Sequence, residues 1–199
     1  SYEDLIALRD KLDSENSGIY PISLPLTGDH QWAWMTAIGQ SGVNWVEDGH
    51  IKLDTEEACD AFMKIHDLIY KDHLSASGLG DNDQFNTFIK NSEDTDVSAV
   101  ISLTGPWNYT PASEVLGDDL AIATIPQIYG DEKKVPAGAH CFAVSADCND
   151  ENKIDGIAAF MKYTFEPENL ILWAGSGQAP LELKTIDMVK EDAAQYPVA

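Results

Sequence analysis

Three tryptophans stand where a bound molecule could be gripped. Trp107 closes the stretch Val97-Ser98-Ala99-Val100-Ile101-Ser102-Leu103-Thr104-Gly105-Pro106-Trp107, and Trp32 and Trp34 follow shortly after Thr27-Gly28-Asp29. Two residues apart on a helix, Trp32 and Trp34 diverge by about 200°. One ring can therefore face a core while the other faces a cleft. Indole faces are good platforms for the C–H faces of sugars. Each stack burying about 60–80 Å² is worth on the order of 1.5–2 kcal/mol. Two or three stacks with a few hydrogen bonds would account for micromolar binding, about −8 kcal/mol. Core packing competes with this reading for every one of these rings, and is the stronger reading for Trp45.

Other chemistry finds little support. Gly175-Ser176-Gly177 lacks the strand–elbow–helix setting of a nucleophile motif, and the chain has no phosphate-binding loop. His66 and His73, seven apart, would lie two turns from each other on one helix and could not share a metal. Asp81-Asn82-Asp83 lacks the glycine and terminal glutamate of a calcium loop, so helix capping is expected there. Carboxylates are abundant, but nothing pairs two of them as glycoside hydrolysis requires. Asn108-Tyr109-Thr110 matches a glycosylation sequon and is read as chance. Catalytic residues, metal sites and cofactors are expected to be absent.

The elements that must position these rings follow from the patterning. Leu5, Leu8 and Leu12 make a helical stripe beginning at Ser1-Tyr2-Glu3-Asp4-Leu5. Tyr20 to Leu26 reads as a strand whose pairing is limited by Pro21 and Pro25. A helix carries Trp32, Trp34, Met35 and Ile38. Residues 44–53 suit a hairpin around Glu47-Asp48-Gly49. Asp54 can cap the next helix, where Ala58, Phe62, Ile65 and Ile69 mark one face and Cys59 is expected to be a buried thiol. A further helix spans 81–91, with Phe85, Phe88 and Ile89 turned inwards. Val97 to Leu103 reads as a strand buried on both faces, as inside a parallel sheet. Gly105 stops it, and Pro106 suits the first position of a following helix. Trp107 would then emerge at the carboxyl end of a central strand, the edge where open α/β sheets bind ligands. Strands are predicted at 120–125 and 140–146, then helices from about Ile154, from Pro167 to Gly175, and over 186–195. The fold expected is mixed α/β with short connections.

Composition narrows the partners. The 199 residues hold 34 acidic and 12 basic side chains, a formal net charge of −22. Such a surface repels nucleic acid and anionic lipid, and the single arginine, Arg9, disfavours phosphorylated or carboxylate ligands. A neutral ligand is the natural inference, and a cationic one stays open. With 44% apolar residues the chain can build a core. No run approaches the roughly 20 apolar residues of a membrane span. Cys141 and Cys148 could pair, and spacing leaves that undecided. The absence of an initiator Met and of a leader pattern suggests a piece of a longer protein.

The order of features resembles the family 1 extracellular solute-binding proteins of ABC transporters, the sugar-binding class that includes maltose-binding protein. The resemblance rests on Tyr2-Glu3-Asp4-Leu5, the Ile22 to Trp34 strand and loop, and Leu53-Asp54-Thr55-Glu56-Glu57. It continues through Phe85-x-x-Phe88-Ile89-Lys90, Gly105-Pro106-Trp107, Ile125-Pro126, Gly138-Ala139 and Gly177-Gln178-Ala179-Pro180. It implies a type II periplasmic-binding-protein-like lobe, a mixed sheet flanked by helices. Residues 1–139 with 186–199 would form the ligand-binding lobe, and 140–185 would cross to the second lobe. By position, Asp29, His30, Trp32, Trp107, Asn108, Gly138 and Ala139 match places that hold ligand in the family, with Trp107 as the stacking indole. The implied function is capture of a neutral sugar or oligosaccharide and its delivery to an ABC permease, by a monomer and without catalysis. The implied setting is extracellular or periplasmic, with a lipoprotein anchor on the full-length form. The family's usual Gly-Gly is here Gly138-Ala139. Rival readings are an acidic glycosidase-type enzyme and a polyamine-binding protein of the same fold.

Overall fold

A computed structural model describes residues 1–25, 30–80, 82–89 and 97–196 of the chain. Two compact units are present: residues 1–104 with 123–137, and residues 105–122 with 138–199. The lobe boundaries implied by the resemblance, 1–139 with 186–199 against 140–185, are a different partition.

The first unit is built on a parallel pair of strands, β1 (Ile19–Ser23) and β4 (Ser98–Ser102), in register from Ile19 opposite Ser98 to Ser23 opposite Ser102. β1 also pairs with residues further along the chain: Ile22 N–H donates to the Leu74 carbonyl at 3.1 Å and Leu24 N–H to Ser75 Oγ at 3.1 Å. Helices α1 (Tyr2–Ser14), α2 (His30–Gln40), α3 (Glu56–Tyr70) and α4 (Asp83–Ile89) complete the unit. Leu5, Ile22, Leu24, Ala37, Leu68, Ile69, Leu74, Ile128 and Tyr129 form the core. The predicted α1 begins on a capping box: Ser1 Oγ accepts from Asp4 N–H, and the Asp4 carboxylate accepts from the Ser1 amine. The hairpin is β2 (Val46–Glu47) and β3 (His50–Ile51), turned by Asp48 and Gly49 at φ 50° and 76°. Two successive left-handed residues are what a tight hairpin turn demands.

Several expectations are corrected. Thr55, not Asp54, caps α3: its Oγ1 accepts from Ala58 N–H at 3.2 Å. The buried line of α3 runs Ala58, Ala61, Leu68, Ile69, leaving Phe62 40% exposed and Cys59 at the surface. His73 lies beyond the end of α3, at φ 51°, so the two histidines do not share a helix. On β4, Ala99 is buried but Val100 is 44% exposed. Successive residues of a strand point to opposite faces, and at this point only the face that carries Ala99 is covered.

The second unit opens with a 3₁₀ turn (Pro106–Asn108) and α5 (Tyr109–Leu116), and continues with α6 (Glu151–Thr164), α7 (Pro167–Gly175) and α8 (Leu183–Glu191). Pro106 and Pro167 each occupy a first helical turn, as expected of a residue with fixed φ and no N–H. Neither 120–125 nor 140–146 forms a strand. Their composition is that of strands, but a strand exists only with a partner, and residues 139–144 make no backbone–backbone hydrogen bond among the described residues. One face of that segment is nonetheless anchored: Phe142 meets Phe160 and Phe165 edge-on, at 5.9 and 6.0 Å between ring centroids. Cys141 and Cys148 are free thiols.

Helix α8 is capped by a glutamate. The Glu182 carboxylate accepts from Thr185 N–H at 2.7 Å and from Thr185 Oγ1 at 2.9 Å. The hydrogen bond from the Thr185 backbone, then that from Lys184, holds Glu182 below its ordinary value of 4.5. A carboxylate depressed by folding stabilises the folded state above its unfolded pKa, and that contribution is lost as pH falls through the lower folded value. Hydrogen exchange at the Thr185 amide, corrected for intrinsic rate, should therefore accelerate once the pH falls below the ordinary glutamate range. Glu182→Ala should show the fast exchange at neutral pH already. A pH-independent Thr185 protection would refute the cap.

Candidate functional site

Strand β4 ends at Ser102, and Leu103 and Thr104 lead on to Gly105, which is extended at φ −93° and ψ 171°. The chain then turns sharply: Asn108 N–H donates to the Gly105 carbonyl at 3.2 Å, and Tyr109 N–H to the Pro106 carbonyl. Trp107 projects from this turn with 40% of its surface exposed. Its six-membered ring folds back over Gly105, where a Cβ would collide with it. Glycine at 105 thus leaves room for the indole.

A second glycine closes the turn from the other side. Gly177, at φ +88°, follows α7, and a Cβ there would stand 2.5 Å from the Pro106 carbonyl oxygen and 3.1 Å from Tyr109 Cβ. The loop after α7 is pressed onto the 106–109 turn, which only glycine allows in both conformation and space. This is the structural role of the glycine in Gly177-Gln178-Ala179-Pro180.

Gly138 and Ala139 are exposed in the same unit and lead to His140. The His140 ring meets Trp173 of α7 edge-on, 5.3 Å between centroids, and Trp173 is 41% exposed. Neither His140 nor Trp173 was marked by spacing or motif. The available signal was alternation: His140 and Phe142 share one side of the segment, so a ring packed under Phe142 implies another near His140. None of the segments 105–109, 138–140 and 173–177 contains a carboxylate or a permanent cation. What they present is indole surface, amide, hydroxyl and backbone polar groups, suited to a neutral polar ligand with apolar faces.

The remaining predicted site residues belong to the first unit. His30 opens α2 and is exposed, and Trp32 is half-buried one turn from Thr36, whose Oγ1 donates to the Trp32 carbonyl at 2.6 Å. Asp29 lies outside the described residues. Trp34 has a packing role: it stacks on Phe62 at 5.9 Å and takes Trp45 edge-on at 6.0 Å. The structure therefore brings Trp107 and Asn108 into one unit with Gly138 and Ala139, and His30 with Trp32 into the other. Among the described residues, no three His, Cys, Asp or Glu side chains are grouped to hold a metal ion, and no helix is long and apolar enough to cross a membrane.

The family model for bacterial extracellular solute-binding proteins matches residues 1–196. The chain belongs to that family. The class it defines binds small molecules outside the cytoplasm on behalf of transporters. The mixed helix–sheet architecture with a parallel strand pair fits the α/β fold expected of it. Neither the curated proteins nor the solved structures provide a match.

Proposed function

We propose that this chain is the ligand-binding part of an ABC-importer receptor that captures a neutral sugar or oligosaccharide without catalysing any reaction on it. The observation that carries the reading is the Trp107 indole, 40% exposed on the first turn after a parallel strand. A broad aromatic face, set on a turn braced by Gly105 and Gly177, can stack on a pyranose ring. The absence of charge in segments 105–109, 138–140 and 173–177 supports a neutral ligand. So does the net charge of −22 with a single arginine, which disfavours anions.

In this reading Asp29, His30, Trp32, Trp107, Asn108, Gly138 and Ala139 contact the solute. Residues 140–185 cross to a second lobe of a type II clamp. The longer protein is a lipid-anchored monomer that docks on a permease. Closure follows from contacts that both lobes make to the solute together.

Thermal melting of the complete protein against neutral sugars, oligosaccharides and polyamines tests this. A ligand that prefers the folded state adds about 2.7 kcal/mol at a hundredfold excess over Kd. A rise of several degrees with one sugar class is expected. A shift with polyamines alone would replace the sugar reading with a cationic one, and release of reducing ends from an oligosaccharide would make the protein an enzyme.

A further inference from the structure

Strand register places Ser23 opposite Ser102, so both hydroxyls point to the same face of the β1–β4 pair. Helix α4 covers the carboxyl end of that face, since Ser23 Oγ donates to the Gln84 carbonyl at 2.6 Å. One turn apart on α4, Gln84 and Thr87 are 1% and 0% exposed. The seam is therefore polar on both sides and closed to bulk solvent. Three of its atoms, Gln84 Oε1, Thr87 Oγ1 and Ser102 Oγ, are buried and meet no hydrogen-bonding partner among the described residues. Buried polar groups left in this condition are rare in native proteins, and ordered water is the usual partner.

We propose that the seam between α4 and the carboxyl ends of β1 and β4 is a binding site for one ordered water molecule. Three of the four hydrogen bonds that water can make find partners here. Water donates one hydrogen to Gln84 Oε1, which can only accept, and accepts from the Thr87 and Ser102 hydroxyls, which rotate to suit. A cation is the poorer occupant, because the three oxygens are neutral. The bound water links α4 to the last residue of β4, three positions before Gly105, and so helps to fix where the strand ends.

Thr87→Val tests the site by the sign of its effect. It replaces a hydroxyl with a methyl of the same shape. If the hydroxyl holds water, the melting temperature falls by about 2–4 °C. If the hydroxyl is merely buried, the substitution relieves it and the melting temperature rises. The double variant Thr87→Val with Ser102→Ala should lose less than the sum of the single losses, because both remove partners of one molecule. A high-resolution crystal structure of the wild-type chain should show water within about 2.7–3.2 Å of at least two of the three atoms. A higher or unchanged melting temperature for Thr87→Val overturns the proposal. So do strictly additive losses, or a crystal structure in which Gln84 turns to pair with Thr87 or Ser102 directly.

Discussion

Replacing Trp107 by alanine in the complete protein is expected to weaken sugar binding at least tenfold while shifting the melting temperature of the unliganded form by no more than about 3 °C. The two halves of that expectation have separate origins. A sugar ring stacked on an indole buries apolar area worth about 1.5–2 kcal/mol, and about 1.4 kcal/mol is one decade in Kd. The fold cost is small because 40% of the residue is already in water and its ring lies over Gly105, outside the buried core cluster of the first unit. Gly105→Ala provides a second arm. The new Cβ evicts the six-membered ring from its seat, so near-ultraviolet circular dichroism should change and affinity should fall with the indole still present. Titration calorimetry reads both variants. Wild-type affinity in Trp107→Ala would remove this residue from the site, and would leave the solute-binding family itself untouched.

Gln40→Met should destabilise the first unit by about 3–5 kcal/mol. Gln40 is 1% exposed at the end of α2 and clasps the segment that returns along it. Its Nε2 donates to the Pro126 carbonyl at 2.9 Å, and its Oε1 accepts from Ile128 N–H and Tyr129 N–H, each at 3.0 Å. Its own carbonyl accepts from Glu132 N–H at 3.1 Å, and Gly130 lies so close to that carbonyl that a Cβ would collide. Methionine nearly conserves the volume and removes all three side-chain bonds. Two buried backbone N–H groups and a carbonyl are then left unsatisfied, at about 1–3 kcal/mol apiece before relaxation. Urea denaturation measures the loss, and hydrogen exchange at Ile128 and Tyr129 should locate it. A loss below about 1 kcal/mol would mean that the strap is held by Ile128 and Tyr129 in the core, not by the glutamine.

Gln40 also shows where reading the chain alone stops. A glutamine at the end of a helix reads as surface, and the partner that buries it arrives some 86 residues later, at Pro126. The same distance problem explains the two strands predicted at 120–125 and 140–146. Their β-branched and apolar residues favour an extended backbone, but pairing is a property of a neighbour that periodicity cannot name. The pattern likewise predicts Val100 inside a sheet, and it is exposed because it points to the face opposite the buried Ala99.

Local chemistry, by contrast, was decided by the residues themselves. Ser1 with Asp4, the Asp48-Gly49 turn, Pro106 and Pro167 at helix starts, and the leucine stripe of α1 all act over a few bonds. Backbone sterics and capping suffice to specify them. Composition likewise fixed the charge of −22 and with it the poor fit to nucleic acid. Only the tertiary structure assigned the tryptophans their places, Trp34 against Phe62 and Trp45, Trp173 against His140, and Trp107 over Gly105. An indole carries the same chemistry whether packed or presented, and which of the two it does depends on surfaces contributed from far along the chain.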